Sequence, residues 1–179
     1  MLTVLLGGAR SGKTTLAVDA ARRGGGSVTY LATAPMIEGD HAFASRIDHH
    51  RSERPEHWIT VEEELDISTA LANAESDLVI IDCLTTWVAN QLHHGVCHDA
   101  IRDAAATAAD MAARSSTQVI AVTNEVGMGI HPATDLGRRY RDLLGWVNQA
   151  WVGAADRALL LVAGRAIPLN DPWDLLTSP

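Results

Sequence analysis

The chain has 179 residues, of which 47% are hydrophobic and 20% are charged, and its formal net charge is -8. This length fits one domain with a substantial core, residues 1–179, and the acidic balance argues against a nucleic-acid binder with a broad basic face. No apolar run reaches the length of a membrane span, no signal-peptide pattern is present, and Cys83 and Cys97 fit neither a metal spacing nor a disulfide framework, so we expect a cytoplasmic protein.

Strand and helix patterns alternate along the chain. Short apolar and β-branched runs predict strands at 2–6, 28–33, 57–62, 77–82, 118–123 and 157–164. Helical spacing predicts helices at 13–23, 40–50, 65–74, 86–93, 99–113 and 136–151. Such alternation implies right-handed βαβ units, and therefore an α/β fold in which a mostly parallel sheet is flanked by helices. The tail over 170–179 is left open as an edge or interface element.

The segment GGARSGKTT, from Gly7 to Thr15, contains the pattern G-x-x-x-x-G-K-T between a predicted strand and a predicted helix. Glycines let backbone N–H groups curve around an anion, and the start of the helix adds its positive end. In this pattern Lys13 is expected to contact the β- and γ-phosphates, and the Thr14 hydroxyl is expected to bind Mg²⁺. Lys13 is also the single lysine beside thirteen arginines. The alternative is a glycine-rich turn that only caps a helix.

A carboxylate is expected near the metal, at the end of another buried strand. Asp82 closes the apolar run DLVIID and is placed for this role. Its alternative role, compatible with the first, is N-cap of the helix over 86–93. Glu125, in the glycine-rich loop after strand 118–123, is a candidate base or metal contact, or an ordinary loop carboxylate. Together these residues predict a nucleoside triphosphate site.

The segment RIDHHRSERPEHW contains a histidine pair among arginines. On a helix over 41–50, His50 shares a face with Phe43 and Ile47, whereas His49 points elsewhere. An inward histidine is more often a satisfied core residue than a catalyst. Here, however, guanidiniums suited to phosphate oxygens lie close by in sequence, at Arg46, Arg51 and Arg54. A histidine with a pKa near the reference value of about 6.5 is substantially neutral at pH 7, and its free nitrogen can attack phosphorus.

Several segments together resemble a known family, the bifunctional adenosylcobinamide kinase / adenosylcobinamide-phosphate guanylyltransferases of cobalamin biosynthesis. They are LLGGARSGKT, YLATA, RIDHHRSERPEHW, IIDCLTTWVAN, VTNEVGMGIHP and GRRYRDLLGWVNQ. The resemblance implies a P-loop sheet with a recombinase-like core, assembled as a homotrimer. It implies phosphorylation of the aminopropanol hydroxyl of adenosylcobinamide with ATP or GTP. GMP then passes from GTP to that phosphate through a guanylylated histidine, and pyrophosphate is released.

The resemblance also implies site residues. His50, the second histidine of the pair, is the nucleophile. The phosphate-loop pattern, apart from the resemblance, gives Lys13 as the second catalytic residue and Thr14 and Asp82 as the metal contacts. The implied nucleotide contacts are Gly7, Gly8, Ala9, Arg10, Ser11, Gly12, Lys13, Thr14, Ala32, Thr33, Ala34, Arg51, Ser52, Glu53, Arg54, Glu62 and Asp82.

Two other functions use the same phosphate-binding loop. A small-molecule kinase of another pathway would treat His50 as structural and form no nucleotide–protein adduct. A nucleotide switch or assembly ATPase would hydrolyse nucleotide slowly, without a small-molecule acceptor, and respond to partners. Neither accounts for the histidine–arginine segment, so the sequence favours the bifunctional enzyme.

Overall fold

The computed structural model of the protein describes residues 1–34 and 54–177. Its strands are β1 Leu2–Gly7, β2 Val28–Ala32, β3 Ile59–Glu62, β4 Leu78–Asp82, β5 Gln118–Val122, β6 Arg157–Val162 and β7 Arg165–Pro168. Its helices are α1 Lys13–Gly24, α2 Ile67–Ala72, α3 Leu84–His93, α4 His98–Arg114, α5 Asp135–Ala154 and α6 Pro172–Thr177. The helix predicted over 40–50 lies outside the described residues.

The seven strands form one sheet in the order β3-β2-β4-β5-β1-β6-β7. Every neighbouring pair is parallel except β6 and β7, which are antiparallel. The prediction of a mostly parallel sheet flanked by helices is therefore confirmed. Strand β5 lies between β1 and β4, so the strands that lead to the phosphate-binding loop and to Asp82 are separated by one strand. The central strands are continuously apolar because helices cover both of their faces.

Helices cover the two faces of the sheet unequally. On one face α1 packs through Ala17, Val18 and Ala21 onto a smaller core that includes Tyr30 and Ile80. On the other face α2 to α5 build the larger core, with Leu2, Val4, Ile81, Trp87 and Trp151 among its buried side chains. Along the central strands, alternate residues pack into opposite cores, as the two-residue period of a β-strand requires. No helix in the described ranges is long and apolar enough to cross a membrane.

The end of the sheet differs from the prediction. The strand predicted over 157–164 ends at Val162, because Ala163 and Gly164 both take positive φ, 50° and 74°. Two consecutive residues with positive φ make the tight turn that suits the twist of a β-hairpin. The chain then returns as β7, paired residue for residue with β6 from Val162↔Arg165 to Leu159↔Pro168. The segment after Pro168 continues into the short helix α6.

Candidate functional site

The candidate site lies at the carboxyl edge of the sheet. In the strand register Ala32 stands between Glu62 on β3 and Asp82 on β4, so these three residues form a row across that edge. Asp82 is in turn level with Val122 of β5, which pairs with Leu5 of β1. Strand β1 continues for two residues past Leu5, to Gly7, so the loop that follows it starts beyond this row. This is the edge at which open α/β sheets bind ligands.

The phosphate-binding loop leaves β1 at a position that only glycine fits. Gly7 has φ 149°, and a Cβ atom added there would lie 2.3 Å from the carbonyl oxygen of Leu161 on β6. The loop then turns, with the Ser11 N–H donating to the Gly8 carbonyl at 3.3 Å, and α1 begins at Lys13. The N–H groups at the start of α1 therefore face the loop, which is the arrangement that binds phosphate oxygens.

Lys13 lies almost wholly inside this turn, with 6% of its surface exposed. Its ammonium group donates to the carbonyl oxygens of Gly7 and Gly8, at 2.8 and 2.7 Å, and to the Ser11 hydroxyl at 3.3 Å. Burial lowers the pKa of Lys13, and the nearby Asp82 carboxylate opposes that shift. The loop thus holds a cation at its centre.

One carboxylate oxygen of Asp82 accepts hydrogen bonds from two hydroxyl groups. Its Oδ2 atom accepts from the Thr14 hydroxyl at 3.1 Å and from the Tyr30 hydroxyl. The N-cap position of α3 is held by Cys83, and α3 begins at Leu84 rather than at residue 86. The alternative in which Asp82 caps that helix is therefore wrong, because its carboxylate is directed to Thr14 and Tyr30.

The donor set at this point suits Mg²⁺. Thr14 and Asp82 offer oxygen atoms only, and Mg²⁺ is usually bound through one or two carboxylates together with waters and substrate phosphates. Within residues 1–34 and 54–177, no group of three or more histidine, cysteine, aspartate or glutamate side chains is arranged to hold a metal. A sparse oxygen site beside a phosphate-binding loop matches this requirement.

Arg54 stacks on the ring of Tyr30. Its guanidinium carbon lies 3.5 Å from the ring centroid, and one terminal nitrogen reaches the Thr60 hydroxyl at 3.5 Å. Among the described residues, the buried Nε atom of Arg54 has no hydrogen-bond acceptor. Burial, together with the adjacent Asp82 carboxylate, raises the pKa of Tyr30 well above its usual value, so its hydroxyl stays protonated and remains a donor. The Arg54 guanidinium is therefore held mainly by stacking of its planar face on the Tyr30 ring.

Thr33 ties the end of β2 to the residue after Asp82. Its hydroxyl donates to the Cys83 carbonyl at 2.7 Å and accepts from the Cys83 N–H at 2.8 Å. The buried amide of Asn90 on α3 donates to the Thr33 carbonyl at 2.7 Å. Sequence reasoning missed Asn90. The sequence feature that could have identified Asn90 is a polar residue on the buried face of α3, between Trp87 and Gln91.

The loop after β5 also reaches the site. The Glu125 N–H donates to the Gly7 carbonyl at 3.3 Å, whereas its carboxylate accepts from the Gly127 N–H in its own loop. Asn148 on α5 anchors this loop, accepting from the Thr123 hydroxyl at 2.6 Å and donating to the Asn124 carbonyl at 3.0 Å. The contacts of Glu125 are therefore those of a loop-closing residue beside the phosphate-binding loop.

The structure thus gathers most predicted contacts at one edge: Gly7 to Thr14, Ala32 to Ala34, Arg54, Glu62 and Asp82. Within the loop, Gly8, Ala9 and Arg10 are exposed and Ser11 is buried. His50, Arg51, Ser52 and Glu53 lie outside the described residues, and their roles stay predictions.

The chain matches one family model and several curated relatives over most of its length. Residues 3–169 match the family model described as cobinamide kinase / cobinamide phosphate guanyltransferase. The chain is 40% identical over 174 residues to the bifunctional adenosylcobalamin biosynthesis protein CobP of Pseudomonas aeruginosa, covering 95% of this chain and 98% of the relative. It is 36% identical over 184 aligned residues to the CobU proteins of Salmonella typhimurium and of Escherichia coli, which bear the same bifunctional description, covering 95% of this chain and 100% of each relative.

A solved structure supports the fold alone. An ATPase from a bacterial type III secretion system superimposes with a TM-score of 0.54 at 11% identity, covering 90% of this chain and 51% of that one. The expectation of a P-loop-type α/β fold is confirmed.

Proposed function

The chain belongs to the cobinamide kinase / cobinamide phosphate guanyltransferase family, and from this premise we propose that it carries out both reactions. The first phosphorylates the aminopropanol hydroxyl of adenosylcobinamide with ATP or GTP. The second transfers GMP from GTP to that phosphate, giving adenosyl-GDP-cobinamide and pyrophosphate. The observation that carries the proposal is the arrangement of Lys13 in the loop, with the Thr14 hydroxyl 3.1 Å from Asp82.

In the kinase half, the loop and its lysine position the triphosphate. Backbone N–H groups from Gly8 to Thr14 surround the phosphates, and Lys13 exchanges its carbonyl partners for phosphate oxygens. Thr14 and Asp82 are the residues that would hold Mg²⁺, and the ion would neutralise phosphate charge at this point. Positioning and electrostatic stabilisation supply most of the catalysis in phosphoryl transfer.

In the transfer half, we assign His50 as nucleophile. A bond forms between its imidazole nitrogen and the α-phosphorus of GTP, the bond to the bridging oxygen breaks, and pyrophosphate leaves. An oxygen of the cobinamide phosphate then attacks that phosphorus, the P–N bond breaks, and the histidine is restored. Arg51 and Arg54 hold phosphate oxygens during both steps. The stacked guanidinium of Arg54, whose Nε lacks an acceptor among the described residues, supports this role.

We further propose that the protein works in the cytoplasm as a homotrimer that binds no nucleic acid and has no membrane span. The net charge of -8 supports the lack of a nucleic-acid partner. The biosynthetic relatives support a small-molecule substrate. Light scattering of the purified protein measures the native mass, and three times 19.1 kDa is expected for the trimer.

GTP labelled at the α-phosphate, and separately at the γ-phosphate, tests the transfer half. Purified protein is incubated with each label and Mg²⁺ and then denatured. We expect an acid-labile, base-stable adduct from the α-label only, as a phosphoramidate of GMP requires. The adduct should be lost in His50→Ala and kept in His49→Ala, the matched control from the same histidine pair. Protein that binds nucleotide but gives no adduct from either label contradicts the covalent mechanism and leaves a plain kinase.

A further inference from the structure

We propose that Tyr30 is a positioning residue for both halves of the reaction. Its hydroxyl fixes the carboxylate of Asp82, and its ring face fixes the guanidinium of Arg54. This inference rests on the proposed function, in which Asp82 serves the metal and Arg54 the phosphates. Because one side chain makes both contacts, it joins the phosphate-binding side of the site to the side that leads into the histidine segment.

The hydroxyl contact follows from the register of β2 and β4. Tyr30 lies directly opposite Ile80, and Asp82 is the next β4 residue on the same face of the sheet. A diagonal neighbour of this kind is within reach of a long aromatic side chain. The Tyr30 hydroxyl donates to Oδ2 of Asp82, which also accepts from Thr14. Both donors converge on Oδ2, so Oδ1 has no hydrogen bond to the residues that the structure describes and is the oxygen left for a cation.

The ring contact orients Arg54. Tyr30 is itself 1% exposed and packs with Trp58 and Ile80, so its ring is a fixed platform. The Arg54 guanidinium lies 3.5 Å from the centroid of that ring, and its hydrogen bond to the Thr60 hydroxyl is 3.5 Å long. A contact of this length is weak, whereas a guanidinium stacked on an aromatic face is attracted by the ring quadrupole. The stacking leaves in-plane N–H groups for phosphate oxygens.

Two substitutions separate the two contacts. Tyr30→Phe removes the hydroxyl and keeps the ring, whereas Tyr30→Met removes both and largely fills the space. We first measure binding of Mn²⁺, a spectroscopic substitute for Mg²⁺, by electron paramagnetic resonance in complexes with the β,γ-imido analogue of GTP. Both variants should bind Mn²⁺ roughly tenfold more weakly, because a carboxylate that has lost a fixed donor is less well oriented.

The second measurement is the rate of adduct formation from α-labelled GTP at saturating Mg²⁺. Tyr30→Phe should keep this rate within about twofold, since the cation–π platform remains, whereas Tyr30→Met should lower it roughly tenfold. A loss through misfolding would appear in the thermal unfolding curve. A merely structural tyrosine would not separate metal affinity from adduct rate in this way.

Tyr140→Phe is the matched control. It also removes one tyrosine hydroxyl, but that group donates to the backbone carbonyl of Thr85 at 3.2 Å. Mn²⁺ affinity and adduct rate should both stay at the wild-type values.

A wild-type Mn²⁺ affinity in Tyr30→Phe overturns the hydroxyl contact, and a wild-type adduct rate in folded Tyr30→Met overturns the ring contact. If Tyr30→Met does not fold, Tyr30→Phe alone still decides the hydroxyl contact. Absence of any adduct in the wild-type protein overturns the proposed transfer half and the ring contact, and Mn²⁺ binding by Tyr30→Phe still decides the hydroxyl contact.

Discussion

Gly7 shows how one residue sets the geometry of the phosphate-binding loop. A Cβ at this position would lie 2.3 Å from the Leu161 carbonyl oxygen and 2.8 Å from the Ser11 hydroxyl. The first of these atoms is backbone in a paired strand and cannot move without disturbing β6. Gly8, the next residue, has nothing within 4 Å of the same hypothetical atom.

We therefore expect Gly7→Ala to lower the free energy of unfolding by about 3 kcal/mol, the upper range for overpacking in a close-packed site. Gly8→Ala, the matched control, should change it by less than about 1 kcal/mol. Urea denaturation of both variants measures the difference. Equal stability of the two variants would mean that β1 and β6 are not packed as closely at Leu161 as the structure has them.

At the residue scale, the sequence predicted the site residues that belong to contiguous patterns. Lys13 and Thr14 belong to a motif of eight positions, and Asp82 ends an apolar strand, so local order was sufficient for them. Tyr30 and Asn90 were missed because their partners are distant in sequence. Tyr30 meets Asp82 through the register of β2 on β4, and Asn90 meets Thr33 across 57 positions. A single sequence does not specify strand register between distant segments, and the structure supplies it.

The β6–β7 hairpin supports the phosphate-binding loop from one side. Gly7 pairs with Leu161 in the sheet, and the N–H of Gly164, in the hairpin turn, donates to the Ser11 carbonyl at 3.0 Å. Gly164 has φ 74°, a conformation that costs other residues about 1 kcal/mol or more. The turn thus combines a glycine requirement with a direct contact to the loop that binds phosphate.

Gly164→Ala and Gly95→Ala separate these two effects. Gly95 follows α3 at the same φ of 74°, and an added Cβ has open space at both positions. Each substitution should lower the melting temperature by about 2–4 °C, the change that 1 kcal/mol produces in a domain of this size. Only Gly164→Ala should also weaken binding of the β,γ-imido analogue of GTP, by roughly threefold to tenfold, since a shifted turn loosens the Ser11 carbonyl. Calorimetric titration measures the affinity for the analogue. Equal affinities in the two variants would contradict the claim that the hairpin turn supports the phosphate-binding loop.

At the element scale, the period of hydrophobic residues predicted the existence and type of most elements. The boundaries depended on turn and cap chemistry. The helix predicted over 86–93 begins at Leu84, and the strand predicted over 157–164 stops at Val162. In the second case Ala163 adopts φ 50°, which is uncommon for a residue with a Cβ, so the apolar run concealed the hairpin. Strand β7 was missed for the same reason.

The whole molecule places its polar chemistry at one edge of an apolar sheet. Central strands β4, β5 and β1 are buried on both faces, and their carboxyl ends lead into the phosphate-binding loop, Asp82 and the loop that begins at Thr123. The central strands contribute side chains to both cores, so both cores hold that edge in place. We therefore propose that residues 1–179 act as one nucleotide-binding domain. The family match ends at residue 169, just after the sheet does.

Two truncations test whether the sheet alone supports the site. A chain ending at Leu169 keeps β7 and the hydrogen bond from the Leu169 N–H to the Ala158 carbonyl, at 2.9 Å, and loses only α6 and its flanks. In α6, Trp173, Leu175 and Leu176 are 69%, 68% and 73% exposed, so their removal takes little from either core. A chain ending at Val162 loses β7, uncovers the edge of β6 and removes the Gly164 contact to Ser11.

We expect the first truncation to keep the affinity for the β,γ-imido analogue of GTP within about twofold, because the contacts that shape the loop are all retained. The second should weaken it at least tenfold, since β6 then becomes an unprotected edge strand and the Ser11 carbonyl loses the N–H of Gly164. Calorimetric titration gives the affinities, and circular dichroism shows that each chain is folded. A large loss in the first truncation would mean that α6 contributes to the nucleotide site, contrary to its position beyond the sheet.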